Sequence, residues 1–509
     1  MAEPARTVDV DTRAGTVRGV WRGEPGTSTG SAAFLGIPFA EAPVGERRFA
    51  APVPVASWDG VRDATAHGPT PQRGDPGATL IPEPSVPGDA TLNVDVFTPS
   101  PMPVAPGTGR PVLVWIHGGG YVAGSPASPW YDGRAFNRAG IVTVNVSYRL
   151  GIDGFGWIAD APSNRGVRDW LLALEWVREN VSSFGGDPAR VTIAGQSAGG
   201  GAVLTLLGMP RAQGLFHRAW AASPALADVP RDRAEAFSRR VAELGYIRPD
   251  LDGFRSLPEE HLLELQRTAM RPPRGAPGGG AQLIEHGMPL GPMVDGDLVP
   301  HATPQSLATG VGADVPLVLG ATDDEFANAF RDAAGGLAWI SKKRALKRLG
   351  LAGPLRSVWL DENREVRRRG TAATLGRYVS DRIFRAPLVR VVAARELGAA
   401  VAATGGATPA GTWAYRFSWR SPAFGAAVHC LDVPFLFDAL GADRVSALAG
   451  ANPPQALADR VHGDLVALVR GREPDWPSAS GEAFPARAYD ADVTVVPDAY
   501  ASARPLAGV

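Results

Sequence analysis

Several stretches of this chain are apolar almost without interruption. Residues 112–117 (VLVWIH), 141–146 (IVTVNV), 191–194 (VTIA) and 315–320 (VPLVLG) lack the alternation of a strand with one wet face. Such strands must be covered on both sides, and a parallel sheet with helices on each face supplies that cover. The segments between them fit. Residues 169–181 put Leu172, Trp176 and Val177 at helical spacing, with Glu175, Arg178 and Glu179 between them. Gly185-Gly186-Asp187-Pro188 reads as a break before the next strand, and residues 200–207 as a further helix. Late in the chain Trp413, Tyr415, Phe417 and Trp419 alternate with Ala414, Arg416 and Ser418, the pattern of a half-buried strand. The fold class expected is α/β: a large mixed, mostly parallel central sheet, helices on both faces, and helical insertions near 232–266 and 339–375.

At 509 residues the length alone suggests three or four domains, at roughly 100–200 residues each. The Pro/Gly-rich pieces at 76–89, 101–110, 271–280 and 404–411 are too short to be clear linkers, and no internal repeat is present. Residues 1–509 are therefore read as one domain. A composition of 45% hydrophobic and 20% charged residues excludes a disordered chain. A net charge of −1 without a basic stripe argues against a nucleic-acid partner. The single cysteine, Cys430, forbids an intrachain disulfide and any Cys-rich metal site, and leans toward a reducing compartment. Met1-Ala2-Glu3-Pro4-Ala5-Arg6 lacks a signal-peptide pattern, and no run of about 18 apolar residues could span a membrane. A cytoplasmic protein without membrane association is expected, its oligomeric state unreadable but a monomer favoured.

Gly195-Gln196-Ser197-Ala198-Gly199 lies between the strand VTIA and a helix. A sharp strand-to-helix turn needs glycines where a Cβ would clash, and it holds the serine hydroxyl out at the C-terminal edge of the sheet. The pattern is weak by itself, since a capping serine at a Gly-rich helix start looks the same. His117-Gly118-Gly119-Gly120, directly after VLVWI, strengthens it. Consecutive glycines after a strand let backbone N–H groups converge on one point, which acyl transfer needs for its oxyanion. An activated serine also needs a base and an orienting acid, in the chain order Ser, acid, His on this kind of sheet. Among the histidines His429, in a small-residue loop, is preferred over His462, in a helical stretch. For the acid, Asp323, Asp324 and Glu325 all follow the strand at 315–320, and residue chemistry alone does not choose among them.

Further motifs make the chain resemble the bacterial type-B carboxylesterases, the α/β-hydrolase family that includes para-nitrobenzyl esterases and cholinesterases. They are Phe34-Leu35-Gly36-Ile37-Pro38-Phe39-Ala40-Glu41-Ala42-Pro43, Trp115-Ile116-His117-Gly118-Gly119-Gly120-Tyr121, Tyr148-Arg149-Leu150-Gly151 and Phe184-Gly185-Gly186-Asp187-Pro188. The resemblance covers nearly the whole chain and implies a serine hydrolase that cleaves carboxylic esters through an acyl-enzyme, with no cofactor and no metal. It implies Ser197 as nucleophile, Glu325 as acid and His429 as base, the last followed by Leu431-Asp432-Val433-Pro434-Phe435. It implies Gly119, Gly120 and Ala198 as oxyanion donors, Ser223 as a supporting serine, and Arg149 with Asp169 as a buried ion pair. The chain departs from the family at several points. Asp89-Ala90-Thr91-Leu92 stands where the family has Glu-Asp-Cys-Leu, so the family's disulfide is absent. Phe326 replaces a glycine after the acid, and Gln196 replaces the glutamate before the serine. Gln196 removes a negative charge beside the nucleophile, and no tryptophan occurs among residues 76–90. The expected substrates are neutral esters with short to medium acyl chains, rather than choline esters. The loop at 270–283 is expected to line the substrate pockets. A hormone-sensitive-lipase-like enzyme would move the acid to Asp323 or Asp324; an adhesion protein on this fold typically lacks part of the triad.

Overall fold

The computed structural model describes residues 6–75, 79–105, 107–271, 283–285, 287–330 and 334–508. The loop at 270–283 therefore falls largely outside the described residues. Among the described residues one 13-stranded sheet dominates. Its first part comprises β1 (Thr7–Asp11), β2 (Thr16–Arg22), β3 (Ser31–Pro38), the short β4 (Val61–Asp63) beside β2, and β5 (Asn93–Thr98). Then come β6 (Arg110–Ile116), β7 (Val142–Val146), β8 (Gly186–Gln196) and β9 (Arg218–Ala222). β10 (Val229–Pro230) and β11 (Met293–Val294) pair separately, and β12 (Leu317–Thr322), β13 (Thr412–Phe417), β14 (Ala486–Tyr489) and β15 (Thr494–Val496) complete the large sheet. The spatial order is β1-β2-β3-β5-β7-β6-β8-β9-β12-β13-β14-β15. The run from β7 to β14 is parallel, and the strands at both ends are antiparallel apart from the short β4, parallel to β2, which is the mixed, mostly parallel sheet expected.

Continuous apolarity follows from two cores. Along β6, Val112, Val114 and Ile116 enter one core with Trp170, Leu174 and Leu204 from the helices Arg165–Asn180 and Ala198–Leu207. Leu113 and Trp115 enter the other, against Val461 and Leu465 of the helix Gln455–Val469. Side chains alternate at period two, but both faces are dry. The same geometry corrects the half-buried reading of residues 413–419. β13 lies inside the sheet, with Trp413, Tyr415 and Phe417 in one core and Ala414 in the other. Ala414 serves close packing rather than solvent, while Arg416, Ser418 and Trp419 keep partial exposure.

The break expected at 185–188 is narrower than that motif. Gly185 turns the chain with φ +81°, and β8 already begins at Gly186. The register shifts where Arg110 pairs with Gly186 and Val112 with Val191, so Asp187 and Pro188 occupy a bulge within the strand. The parallel strands end together. Register pairs Ile116 with Gly195, Gln196 with Ala222, Ala222 with Gly320, and Thr322 with Phe417. Every segment singled out for chemistry leaves this one edge, where ligands bind in open parallel sheets.

Candidate active site

Ser197 sits between β8 and the helix Ala198–Leu207 with φ +58° and ψ −122°, a conformation a non-glycine residue rarely adopts. Its N–H donates to Ala222 O at 3.0 Å, and its carbonyl accepts from Gly201 N and Ala225 N, so the strained turn is held on both sides. The flanking glycines are sterically required. A Cβ on Gly199 would stand 2.0 Å from Ile116 O, and one on Gly195 would stand 2.5 Å from the Gly199 carbonyl. The serine is pushed up because the helix start lies directly against β6.

The loop after β6 faces it. Gly119 has φ +106°, and a Cβ there would meet Ala123 O at 2.0 Å. Among the described residues no hydrogen bond uses the N–H of Gly119, Gly120 or Ala198. His117 is part of the scaffold. It stacks on Tyr148 with ring centroids 4.4 Å apart, its Nδ1 donates to Gly118 O at 2.8 Å, and burial drives its pKa down to about 4. Gln72 anchors the far end of the loop, its Oε1 accepting from Gly124 N at 2.7 Å.

The three carboxylates after β12 separate cleanly. Asp323 forms a forked pair with Arg416 at 2.5 and 2.7 Å; burial alone would raise its pKa, but that guanidinium holds the carboxyl well below the usual range. Asp324 meets Arg377 at 3.2 Å and Arg369 at 3.5 Å. Glu325 alone reaches His429, Oε2 bonding Nδ1. Its Oε1 accepts from Ser223 Oγ at 2.6 Å and from Thr322 N at 2.8 Å. His462 stays in the helix Gln455–Val469, where its Nδ1 donates to Leu436 O at 2.8 Å.

Burial by itself would disfavour a charged imidazole at His429, yet its pKa is held above the ordinary histidine range by the negative groups beside it. The Cys430 thiol acts this way only when ionised, and burial pushes that thiol up. The Glu325 carboxylate is therefore the effective cause. A cavity of about 310 Å³ brings Ser197, Glu325, His429, Gly119 and Gly120 together. A larger cavity of about 500 Å³ borders the same loop at Val122 and Ala123 but holds none of these five.

The sequence model of the carboxylesterase family matches residues 6–447. The chain belongs to the carboxylesterase family. Among curated proteins it is 30% identical over 504 residues to the para-nitrobenzyl esterase of Bacillus subtilis (strain 168), covering 96% of each chain. It is 32% identical over 503 residues to the phenmedipham hydrolase of Pseudarthrobacter oxydans, covering 91% of each. Among solved structures, the Geobacillus stearothermophilus carboxylesterase EST55 superposes with a TM-score of 0.78 at 31% identity, over 97% of this chain and 99% of that one. A PNB esterase gives 0.79 at 28%, over 97% and 98%. The α/β-hydrolase fold and the type-B resemblance are thus borne out, and this carboxylesterase is a hydrolase of carboxylic esters.

Its departures from the family have visible consequences. Phe326, in the glycine's place, stacks on Phe384 at 5.8 Å, and Phe384 lies against the His429 ring at 4.8 Å. The carboxylesterase thus walls its histidine with aromatic surface. Gln196 Nε2 lies 3.2 Å from His429 Nε2 and 3.3 Å from Cys430 Sγ, while its buried Oε1 has no partner among the described residues. A half-turn of the amide puts Oε1 against both groups, where it accepts from the thiol and from a protonated Nε2. At rest no hydrogen bond joins the Ser197 hydroxyl to His429 among the described residues. Cys430, read from sequence as a small buried hydrophobe, is buried but lines this cavity. Arg149 and Asp169 form the buried pair expected, at 2.7 and 2.9 Å. Sequence reasoning missed Phe384 and Glu83. Both reach the cavity region from segments with no motif of their own.

Proposed function

We propose that Ser197 is the nucleophile of ester hydrolysis, His429 its general base and Glu325 the orienting acid. Ser197 and His429 line the same cavity, and a serine–histidine contact of this kind commonly tightens only when substrate binds. Nε2 takes the hydroxyl proton as Oγ attacks the ester carbonyl, and the N–H groups of Gly119, Gly120 and Ala198 receive the oxyanion. His429 then protonates the departing alcohol, and water deacylates the enzyme by the same steps in reverse. Glu325 keeps Nδ1 protonated and stabilises the imidazolium, while Ser223 and the Thr322 N–H fix the carboxylate. The observation that carries the reading is that Glu325, of three adjacent carboxylates, is the one bonded to His429, and both share a cavity with a serine on a strained turn.

Neutral esters with short to medium acyl chains are the proposed substrates. Gln196 is uncharged, and the cavity is of a size for small acyl groups. The reading of residues 1–509 as one domain is supported by a sheet that takes strands from Thr7 to Val496. No helix among the described residues is long and apolar enough to cross a membrane. A lone buried cysteine supports a cytoplasmic location, and a monomer remains the working reading.

A fluorophosphonate should label Ser197 stoichiometrically. Ser197→Ala should lose the label and retain below about a thousandth of wild-type kcat, with an unshifted melting curve. Turnover of a few per cent in that variant would remove Ser197 from the role.

A further inference from the structure

The catalytic cavity contains a carboxyl group that the mechanism above does not use. Glu83 lines it together with Ser197 and His429. Its Oε2 is shielded from solvent and has no hydrogen-bond partner among the described residues. The segment that carries it is pinned at both ends. Gln72 Nε2 donates to the Glu83 carbonyl at 2.6 Å, and Gln72 Oε1 holds Gly124 N at 2.7 Å, which ties Glu83 to the loop carrying Gly119 and Gly120. Arg444 donates to Thr79 O at 3.2 Å at the other end. A carboxyl so held, on the wall of the space where the ester must lie and with one oxygen unpaired among the described residues, is poised for a group on the substrate. A buried polar atom without a partner is costly, and a ligand that supplies one recovers that cost.

We propose that Glu83 is a specificity residue of this site, its carboxyl making a hydrogen bond to an uncharged oxygen acceptor, such as an ether or a second carbonyl, on the ester substrate. This rests on the reading of Ser197, His429 and Glu325 as the catalytic groups. The acid form is the one that donates. Burial pushes the Glu83 pKa up to about 8, against the opposing pull of the Arg444 guanidinium. The phenols of Tyr131 and Tyr148 near it are both held neutral by burial far above the working range, and His429, Glu325 and Cys430 share its cavity. At neutral pH Glu83 is therefore mainly a neutral donor and offers no counter-charge to a cation, while the Glu325 carboxylate in the same cavity is engaged by His429. Above its pKa it becomes a carboxylate that repels an ether or carbonyl oxygen.

Two matched pairs of esters test this. 2-Methoxyethyl butyrate against butyl butyrate probes the alcohol side, and 4-nitrophenyl methoxyacetate against 4-nitrophenyl butyrate probes the acyl side. The quantity read is the ratio of kcat/KM within each pair, at pH 6.5 and 9.5, for wild type, Glu83→Gln and Glu83→Leu. Within one pair the titration of His429 cancels, and comparison with the variants cancels intrinsic reactivity. The wild-type ratio should favour the oxygen-bearing ester in at least one pair and fall about tenfold by pH 9.5. Glu83→Gln, whose amide donates at every pH, should keep the preference without the fall. Glu83→Leu should lose it at both. An unchanged ratio in Glu83→Leu, or a wild-type ratio that does not move with pH, overturns the proposal. So does a preference at pH 6.5 for 2-ammonioethyl butyrate over butyl butyrate that Glu83→Gln abolishes, which would make Glu83 a cation site. If Glu83→Leu does not fold, the pH dependence of wild type against Glu83→Gln decides. Fluorophosphonate labelling of each protein is scored in parallel. Loss of labelling at Ser197 in wild type would sink the catalytic assignment, whereas normal labelling with unmoved ratios sinks only the role of Glu83.

Discussion

Replacing Glu325 with glutamine changes one carboxylate oxygen into an NH2, and the structure dictates which way that amide turns. Oε1 of Glu325 accepts from two donors, Ser223 Oγ and Thr322 N, whereas Oε2 accepts only from His429 Nδ1. The Thr322 N–H is part of the backbone and cannot withdraw. The oxygen of the substituted amide must therefore take the Oε1 side, and its NH2 faces Nδ1. That forces the neutral imidazole into the tautomer with Nδ1 bare and the proton on Nε2. In that form His429 cannot accept the Ser197 proton. The loss should approach the ~10⁴-fold in kcat found when a triad acid becomes its amide. Asp323→Asn and Asp324→Asn disturb different partners, Arg416 for the first and Arg377 with Arg369 for the second. Breaking such pairs costs stability, up to about 3–5 kcal/mol where both partners are buried, but leaves the His429 tautomer alone. The assay is kcat on 4-nitrophenyl butyrate for the three variants, each normalised to active sites counted by the burst of 4-nitrophenol. Glu325→Gln should collapse, and the two aspartate variants should stay within a few-fold of wild type per folded molecule. Collapse in Asp324→Asn with Glu325→Gln near normal would refute the reasoning and hand the acid to the neighbouring position.

The acid limb of kcat/KM should lie above the ordinary histidine value of ~6.5, because Glu325 favours the charged imidazole and only the neutral form takes the proton; a limb at or below that value contradicts the coupling. Gly199→Ala should abolish soluble expression, since its Cβ would meet a backbone oxygen at 2.0 Å, while Gly463→Ala, exposed in a helix with nothing within 4 Å, should stabilise by ~0.5–1 kcal/mol in urea melts. Gln196→Glu should raise kcat/KM for butyrylcholine relative to butyl butyrate by placing a charge beside the nucleophile; an unchanged ratio would make Gln196 irrelevant to selectivity.

The sheet and its chemical edge were legible because their constraints are written into short local patterns. Residues 112–117 and 191–194 are apolar since both faces are covered, and Gly195 and Gly199 stand where a side chain would strike β6. Those causes act across the sheet, but each leaves its mark within the few residues of the pattern itself. The choice among Asp323, Asp324 and Glu325 was not legible from residue chemistry, because arginines distant in the chain make it. Arg416 claims the first, and Arg369 with Arg377 the second, and neither carries a local signal pointing back to 323–325. Only the family resemblance named Glu325. The expectation of neutral substrates was drawn from Gln196 and the missing tryptophan, and left out Glu83. The segment around residue 83 has no periodicity and no motif, and contacts distant in the chain, those of Gln72 and Arg444 among them, bring it to the cavity. The position of the loop that carries the proposed specificity residue is thus a tertiary fact. On the proposed role of Glu83, burial that makes that carboxyl neutral near pH 7 would let a cavity that contains an acid still select uncharged esters.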